Sequence, residues 1–367
     1  MYKKFLPLVL IILFLSMFLS YKAGQESIRK NIDEEKEFLY SLNRSELEKL
    51  VLIDGPVYVI GHKSPDSDTV CSAIGYASLL NKLGIEAKPM ITAKPNNETM
   101  YILEKAGVEI PEELYDAVGL NIMLVDHSEY SQAVDELIDA NIVGIIDHHG
   151  VGSVNTGHQV LYNAKPIGST ATIVWMTYLN YGIEIDYDVA YALLGAILSD
   201  TSNLTASTTI SADIKAVEEL NKIVNIDINS FYDEMHERLL SYDGYTDEEI
   251  FFLDYKEYES SGIKYGIGAV NAIDEKSASD LAKRMKKAME ECFNTSEVDL
   301  MYASVRADNK KIDYIVPANE YSETILKSAF PDYDEFDGTA YIFKSSLGRK
   351  SKFVPGLNDY LGAKPHE

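Results

Sequence analysis

The stretch from Val57 to Ser72, which reads VYVIGHKSPDSDTVCS, constrains the fold of this chain more than any other. An apolar run rich in β-branched residues stops at Gly61, and an apolar pattern with helical spacing begins after a polar segment. This order predicts a strand, a loop and a helix. In an open α/β sheet, ligands bind at the loops beyond the carboxyl ends of the strands. The polar segment carries His62, Asp66 and Asp68, whose nitrogen and oxygen atoms suit a divalent metal such as Mn, Zn, Co or Fe.

The same arrangement recurs further along the chain. Two more apolar runs end in aspartate and histidine, at Asp126-His127-Ser128-Glu129 and Asp147-His148-His149, and one helix-like run ends in an aspartate, at Ser199-Asp200-Thr201. Each motif alone would also fit a turn, a structural histidine or a helix end. Four of the seven histidines, however, follow strand-like runs beside an aspartate. This recurrence favours a shared metal site over a chance distribution.

The motifs GHKSPDSD, LVDHSE, IIDHH and LSDT, in this order and spacing, resemble the four motifs of the DHH phosphoesterase superfamily. Within that superfamily the chain is most similar to the manganese-dependent (family II) inorganic pyrophosphatases, and the similarity continues through PIGSTATI at residues 166–173. The resemblance implies an α/β fold with an N-terminal, mostly parallel sheet flanked by helices and a smaller C-terminal α/β domain. It places the active site in the cleft between these domains.

The resemblance also implies a site for two divalent ions. Mn²⁺ is expected in it, with Co²⁺ as an alternative and Mg²⁺ accompanying the substrate. The expected ligands are His62 and Asp66 for one ion, Asp68, His148 and Asp200 for the other, and Asp126 for both. Two ions about 3.5–4 Å apart can activate a hydroxide and stabilise both oxygens of an in-line displacement. Asp147 is expected to orient a neighbouring imidazole rather than to bind metal.

Three side chains are expected to contact the substrate. By resemblance, His149 is catalytic together with Asp126, because it hydrogen-bonds and protonates the oxygen of the leaving phosphate. The basic segment LGRKSK follows the last predicted strand, and its Arg349 and Lys350 match the pair that binds phosphate in the family. Without the other motifs, this segment would be interpreted as a solvated turn.

The expected reaction is hydrolysis of diphosphate to two orthophosphates. One alternative within the superfamily is an exopolyphosphatase or a phosphodiesterase for short or cyclic nucleotides. Another, of a different class, is a non-catalytic sensor that binds metal or phosphate. The chain departs from the family pattern at Ser64 and Ser128, where asparagine is usual. The family also has a substrate-binding lysine in the segment that matches residues 233–238, and this chain has none there, although Arg238 could take its place.

The length of 367 residues suffices for two domains with separate cores. Alternating strand-like and helix-like segments predict a first domain at residues 53–240, a connection at 241–260 and a second domain at 261–367. Helices are predicted in the first domain at Val70–Leu83, Asn97–Ala106, Ser131–Asp139, Thr170–Tyr181, Asp188–Leu198 and Ser211–Ile223. The net charge of −25 excludes nucleic acid as an expected partner of the bulk of the protein. A homodimer is implied by resemblance only.

The N-terminus predicts export. Lys3 and Lys4 precede an apolar run from Phe5 to Leu19. This run is shorter than the ~20 residues of a spanning helix, and it fits a signal-peptide core or a short membrane anchor at residues 1–23. Charged, helix-favouring residues then predict a helical spacer at 24–52. The catalytic part would therefore be secreted or anchored at the membrane.

Overall fold

The structure is a computed structural model that describes residues 6–363, without the side chains of residues 6–16, 19, 20, 51, 350 and 363. The chain divides into two units, Met1–Tyr232 and Asp233–Glu367. In the first unit a helix, α1 (Leu6–Arg44), leads through a 3₁₀ turn (Ser45–Leu47) into a short helix, α2 (Glu48–Val51). The predicted spacer is therefore continuous with the helix that begins at Leu6.

Strands and helices then alternate. The strands are β1 (Val57–Ile60), β2 (Ala87–Ile91), β3 (Glu112–Glu113), β4 (Asn121–Val125), β5 (Asn141–Asp147) and β6 (Leu161–Ala164). The helices are α3 (Ser67–Lys82), α4 (Asn97–Ala106), α5 (Thr170–Tyr181), α6 (Tyr187–Asp200), α7 (Ser211–Val224) and α8 (Ile228–Ser241). Helix α8 begins in the first unit and ends in the second.

The six strands form one parallel sheet in the order β3-β2-β1-β4-β5-β6. This confirms the predicted parallel sheet flanked by helices. Strands β1, β4 and β5 are neighbours, with Val57 opposite Asn121 and Asn121 opposite Asn141. Because parallel strands end at the same edge, the loops that carry three of the sequence motifs meet there.

Helices α3 and α6 bring two further expected ligands to that edge. Asp68 lies in the first turn of α3, and Asp200 is the last residue of α6. The helices pack so closely that a Cβ atom at Gly75 would lie 2.9 Å from Cδ2 of Leu193. This contact between a glycine and a leucine sets the separation of the two helices, and therefore of the two carboxylates.

The helix predicted at Ser131–Asp139 is wrong. Two separate 3₁₀ turns, Tyr130–Gln132 and Leu137–Asp139, replace it. Ala133 is extended and Glu136 has a φ of +54°, so the backbone leaves the right-handed helical region twice. Apolar spacing alone does not report such dihedral angles, since Ala133, Val134 and Leu137 are buried in either arrangement.

The second unit contains a mixed sheet in the order β11-β12-β10-β9-β8-β7, with only β8 and β9 parallel among the pairs described. Its strands are β7 (Tyr255–Ser260), β8 (Ile263–Ala272), β9 (Leu300–Ala307), β10 (Ile312–Pro317), β11 (Glu335–Phe336) and β12 (Tyr341–Phe343). Its remaining helices are α9 (Asp247–Phe252), α10 (Glu275–Cys292), α11 (Glu320–Ala329) and α12 (Val354–Ala363). Separate apolar clusters cover the two faces of the sheet. The connection predicted at 241–260 contains α9 and β7.

Within the part of the chain that the structure describes, no helix has both the length and the hydrophobicity needed to cross a membrane. The first five residues of the predicted signal or anchor segment lie outside the described residues.

Candidate metal centre

Short backbone segments present the donors at the carboxyl edge of the parallel sheet. Gly61 follows β1, and a Cβ atom there would lie 2.2 Å from Cγ2 of Thr69. Only glycine therefore lets the chain turn close to the start of α3 before it reaches His62. Asp126 follows β4 with a φ of +65°, and its amide donates to the Ile146 carbonyl of β5 at 2.8 Å. This hydrogen bond fixes the unusual backbone that presents the Asp126 carboxylate.

The carboxylate of Asp126 lies between two imidazoles. Its Oδ2 is 3.4 Å from Nε2 of His62, and its Oδ1 is 3.4 Å from Nε2 of His148. His62 also faces Oδ2 of Asp66 at 3.6 Å, and His148 faces Oδ2 of Asp200 at 3.3 Å. Among the described residues, three donor groups that could hold a cation share Asp126. Two of them contain all six expected ligands, namely His62, Asp66 and Asp126, and Asp68, Asp126, His148 and Asp200; the third joins Asp126 and His148 to His149.

Backbone carbonyls orient both imidazoles. Nδ1 of His62 lies 2.8 Å from the Lys63 carbonyl oxygen, and Nδ1 of His148 lies 3.0 Å from the Ile167 carbonyl oxygen. Because a carbonyl oxygen only accepts, each Nδ1 carries a hydrogen and donates it, so Nε2 is the nitrogen that faces the carboxylates and that could bind a metal ion. Nε2 of His148 is buried and has no hydrogen-bond partner among the described residues. A metal ion would supply the missing partner.

Asp68 is held by the start of α5. Its fully buried carboxylate accepts hydrogen bonds from Ser169 Oγ at 2.7 Å, Thr170 N at 2.6 Å and Ala171 N at 2.8 Å. The unpaired amides and the positive end of a helix stabilise a buried anion. The PIGSTATI segment therefore fixes the position of an expected ligand from across the sheet edge.

The site concentrates negative charge. Burial, then the charges of Asp126 and Asp66, raise the pKa of Asp200 to about 8. Burial and the neighbouring carboxylates also raise the pKa of Asp68 well above its usual value. Burial disfavours the charged forms of His62 and Asp126 and is the largest single effect on each. The hydrogen bonds and opposite charges around the two groups together outweigh it, so the pKa of His62 rises to about 11 and that of Asp126 falls to about 2. Protons thus partly neutralise carboxylates that a divalent cation would neutralise more fully.

His149 lies beside the metal ligands but is more exposed. Its Nδ1 lies 3.1 Å from Oδ1 of Asp147, and its backbone amide donates to the same oxygen at 3.0 Å. This hydrogen bond raises the pKa of His149. The His149 side chain is 56% exposed, and its ring lies 4.1 Å from that of His148, centroid to centroid. Asp147 therefore orients a solvent-accessible imidazole next to the predicted metal site.

The structure adds residues that the sequence did not identify. Glu98 of α4 is buried, and its Oε2 accepts from Ser67 Oγ at 2.8 Å and from Ser199 Oγ at 2.7 Å. Thr69 and Thr170 donate to the two oxygens of Asp126, at 2.8 and 3.0 Å. These hydroxyl groups are common in turns and helix starts, so nothing in the sequence distinguishes them from ordinary capping residues.

The expected phosphate-binding pair belongs to the second unit. The guanidinium of Arg349 donates to Oδ1 and Oδ2 of Asp254 at 2.8 and 2.7 Å, and to the Asp254 carbonyl. Arg349 therefore pairs with a carboxylate, and a guanidinium binds carboxylate and phosphate oxygens in similar ways. Asp313 anchors the preceding loop, since its Oδ2 accepts from the Leu347 amide. The Lys350 side chain lies outside the described part of the chain.

The donor chemistry fits manganese. Imidazole nitrogens and carboxylate oxygens in two adjoining groups suit first-row divalent ions, and no cysteine belongs to either group. In such a site, the buried Nε2 of His148 and the excess of carboxylates would both gain a cationic partner.

Comparison with known proteins agrees with this geometry. The family model for the N-terminal domain of the DHH family matches residues 56–197, and the DHHA2 domain matches residues 233–360. The fold and the donor set therefore define a two-domain, metal-binding protein of the DHH class.

Proteins of known family share most of the chain. A "Probable manganese-dependent inorganic pyrophosphatase" of Archaeoglobus fulgidus is 36% identical over 318 residues, which cover 82% of this chain and 97% of that protein. The manganese-dependent inorganic pyrophosphatase of Methanothrix thermoacetophila is 39% identical over 236 residues, 64% of this chain and 75% of the relative. A candidate family II inorganic pyrophosphatase of Methanococcus jannaschii has a crystal structure with a TM-score of 0.63 and 32% identity, covering 84% of this chain and 100% of that one. The chain belongs to the manganese-dependent, family II inorganic pyrophosphatases.

Proposed function

We propose that this protein hydrolyses pyrophosphate to two orthophosphates with manganese as its cofactor. The observation that carries the proposal is the position of Asp126, whose two oxygens each lie 3.4 Å from an imidazole nitrogen that belongs to a different donor group. A carboxylate in this position can bind two ions at once. Membership of the pyrophosphatase family supports pyrophosphate as the substrate, because the relatives described above are inorganic pyrophosphatases by name.

The ligands of the two ions are His62, Asp66, Asp68, Asp126, His148 and Asp200. When bound, two divalent ions activate water for attack and neutralise the developing charge on the attacking and leaving oxygens. The backbone carbonyls behind His62 and His148 orient the two imidazoles, so that their Nε2 atoms would be the ones to bind the ions. The amides at the start of α5 hold the Asp68 carboxylate in place.

Other side chains act on the substrate. His149, oriented by Asp147 and accessible to solvent, hydrogen-bonds an oxygen of the leaving phosphate and gives it a proton. Arg349 binds phosphate oxygens through its planar fork, and Lys350 adds a point charge. In the structure Nη2 of Arg349 donates to both carboxylate oxygens of Asp254, so phosphate binding would exchange one anion for another.

Phosphate release by the purified full-length protein in detergent tests this function. The protein is loaded with Mn²⁺, Co²⁺ or Mg²⁺ and given pyrophosphate, a long polyphosphate or a dinucleotide in parallel. We expect rapid release from pyrophosphate with Mn²⁺, and loss of that release after treatment with a chelator. A preference for polyphosphate would assign an exopolyphosphatase, and a preference for the dinucleotide would assign a phosphodiesterase. Bound metal without turnover of any of these would assign a sensor.

We further propose that the N-terminal apolar segment directs the protein to the membrane, and that the protein is a homodimer. The first proposal rests on the N-terminal sequence, and the second rests on the family resemblance. N-terminal sequencing of the mature protein distinguishes a cleaved signal from a retained anchor. A soluble protein with an intact N-terminus would refute membrane targeting in either form. Sedimentation at micromolar concentration tests the dimer.

A further inference from the structure

A long part of α1 is exposed. Residues 21–39, whose side chains the structure describes, are exposed on every side of the helix. The end of α1 is attached to the first unit, where Asn43 Nδ2 and Arg44 Nε donate to the carbonyls of Asn180 and Tyr181 at 2.8 and 2.7 Å. A helix gains most of its stability in proteins by packing an apolar face. We therefore expect this exposed part of α1 to be stabilised by packing against another helix or protein surface.

Six of the eight exposed apolar side chains described in α1 lie on one seam. They are Phe18, Tyr21, Ile28, Ile32, Leu39 and Leu42, each between 46% and 64% exposed, and the other two, Met17 and Phe38, lie beside it. With Gln25 and Glu35 included, the intervals along this seam alternate strictly between three and four residues. That spacing is the a and d pattern of a heptad repeat, in which residues 18, 25, 32 and 39 occupy the a positions. A mean period of 3.5 residues favours a left-handed coiled coil over packing against a globular surface.

We propose that α1 forms a parallel two-stranded coiled coil with α1 of a second copy of this chain. The heptad seam is self-complementary, so a second copy supplies the matching surface without any other partner. The charges select the parallel orientation. The e positions carry Lys22, Arg29 and Lys36, and an antiparallel pair would set these like charges against one another.

In a parallel pair, these e positions instead face the uncharged g positions of the preceding heptad, which are Met17, Gly24 and Asn31. Glu35 at a d position then lies next to Lys36 at the e position of the second copy, which compensates its charge. Gln25 and Glu35 set the register at a cost in stability. The seam lies outside the residues matched to the DHH and DHHA2 families, so it is separate from the metal centre.

Cysteine cross-linking in the full-length protein in detergent tests this arrangement. Ile28→Cys places a thiol at a d position, where two copies of a parallel pair come together. Mild oxidation should yield a disulfide-linked dimer, whereas Lys30→Cys, on the opposite side of the helix, should yield only background. The native Cys71 and Cys292 are buried and serve as the background in both variants.

Mixing separately purified Ile28→Cys and Ile32→Cys proteins tests the orientation, because these positions meet in an antiparallel pair centred on residue 30. A strong mixed dimer with little Ile28→Cys homodimer would overturn the parallel assignment. No cross-link in either experiment would overturn the coiled coil itself.

A second variant pair separates the seam from any contact made by the catalytic part. In both variants Tyr21→Cys, at a d position, provides the cross-linking thiol. The double substitution Ile28→Asp and Ile32→Asp in this background should reduce the disulfide-linked fraction at least tenfold. Ser27→Asp with Lys30→Asp, on the outer face, should leave it unchanged. Phosphate release should be the same in both variants. Equal cross-linking in the two variants would refute the seam, whatever the substrate of the metal site.

Discussion

Ser199 donates a 2.7 Å hydrogen bond from its hydroxyl group to Oε2 of Glu98. The hydroxyl of Ser67 donates to the same oxygen at 2.8 Å. Each serine directly precedes an expected ligand of one ion, Asp68 in α3 or Asp200 in α6. The buried Glu98 carboxylate therefore joins the two helix ends that hold one side of the metal centre.

We expect Glu98→Ala to weaken Mn²⁺ binding by about 10–100-fold, the usual effect of removing a group that orients metal ligands. Manganese titration followed by calorimetry measures this change, and saturating Mn²⁺ should restore most of the turnover. Glu104→Ala changes an exposed glutamate on the same helix and provides the control. Glu98→Gln keeps the shape and should restore part of the affinity. An unchanged affinity in Glu98→Ala would contradict the positioning role.

Asp126→Ala should remove both ions and abolish phosphate release. The reason is that each of its oxygens faces a different donor group, so no substitute remains for either ion. Metal analysis after gel filtration should show nearly two ions per chain in the wild type and far fewer in the variant. Asp139→Ala, an exposed aspartate of the same unit, serves as the control. Full activity in Asp126→Ala would refute the two-ion site.

Gly61→Ala should destabilise the first unit and loosen the metal centre. The added Cβ would lie 2.2 Å from Thr69 Cγ2, and Thr69 donates to Asp126 at 2.8 Å. Overpacking of this kind costs about 1–3 kcal/mol of unfolding free energy. Thermal unfolding with and without Mn²⁺ measures it. Gly157→Ala, where no atom lies within 4 Å of the added Cβ, should behave as wild type.

Lys350→Ala should leave the metal content unchanged and impair the use of substrate. A hydrogen bond to a charged group contributes about 1.5–3 kcal/mol, so KM for pyrophosphate should rise roughly 10–100-fold. Steady-state kinetics and metal analysis of the same preparation test both statements. Lys310→Ala, an exposed lysine paired with Glu275, is the matched control. Loss of metal in Lys350→Ala would show that the basic segment supports the metal centre instead.

Asp254→Asn should lower KM for pyrophosphate, because the carboxylate competes with phosphate for the Arg349 fork. A pair with a half-exposed partner contributes about 0.2–1 kcal/mol, so the decrease should reach at most about fivefold. Arg349→Ala in the same background should cancel the gain. A rise in KM for Asp254→Asn would mean that Asp254 holds Arg349 in its binding position rather than away from it.

Local patterns predicted the elements that carry the metal ligands. The sequence placed a helix at Thr170–Tyr181, and the structure has it at those residues, because apolar positions with helical spacing follow the capping residue Ser169. It also predicted the strand before His62, where an apolar run ends at glycine. The same method was wrong at residues 131–139, since left-handed and extended residues interrupt an apolar spacing that looks helical.

The sequence by itself determined the alternating α/β architecture, the family and which side chains could bind metal, because strand and helix periodicity and short motifs are local properties. Only the tertiary structure decided that β1, β4 and β5 are neighbours, which brings His62, Asp126 and His148 to one point. It also decided that Glu98 joins two ligand-bearing helix ends and that Arg349 pairs with Asp254. These contacts depend on strand order and on helix packing between distant segments, and neither spacing nor composition records them.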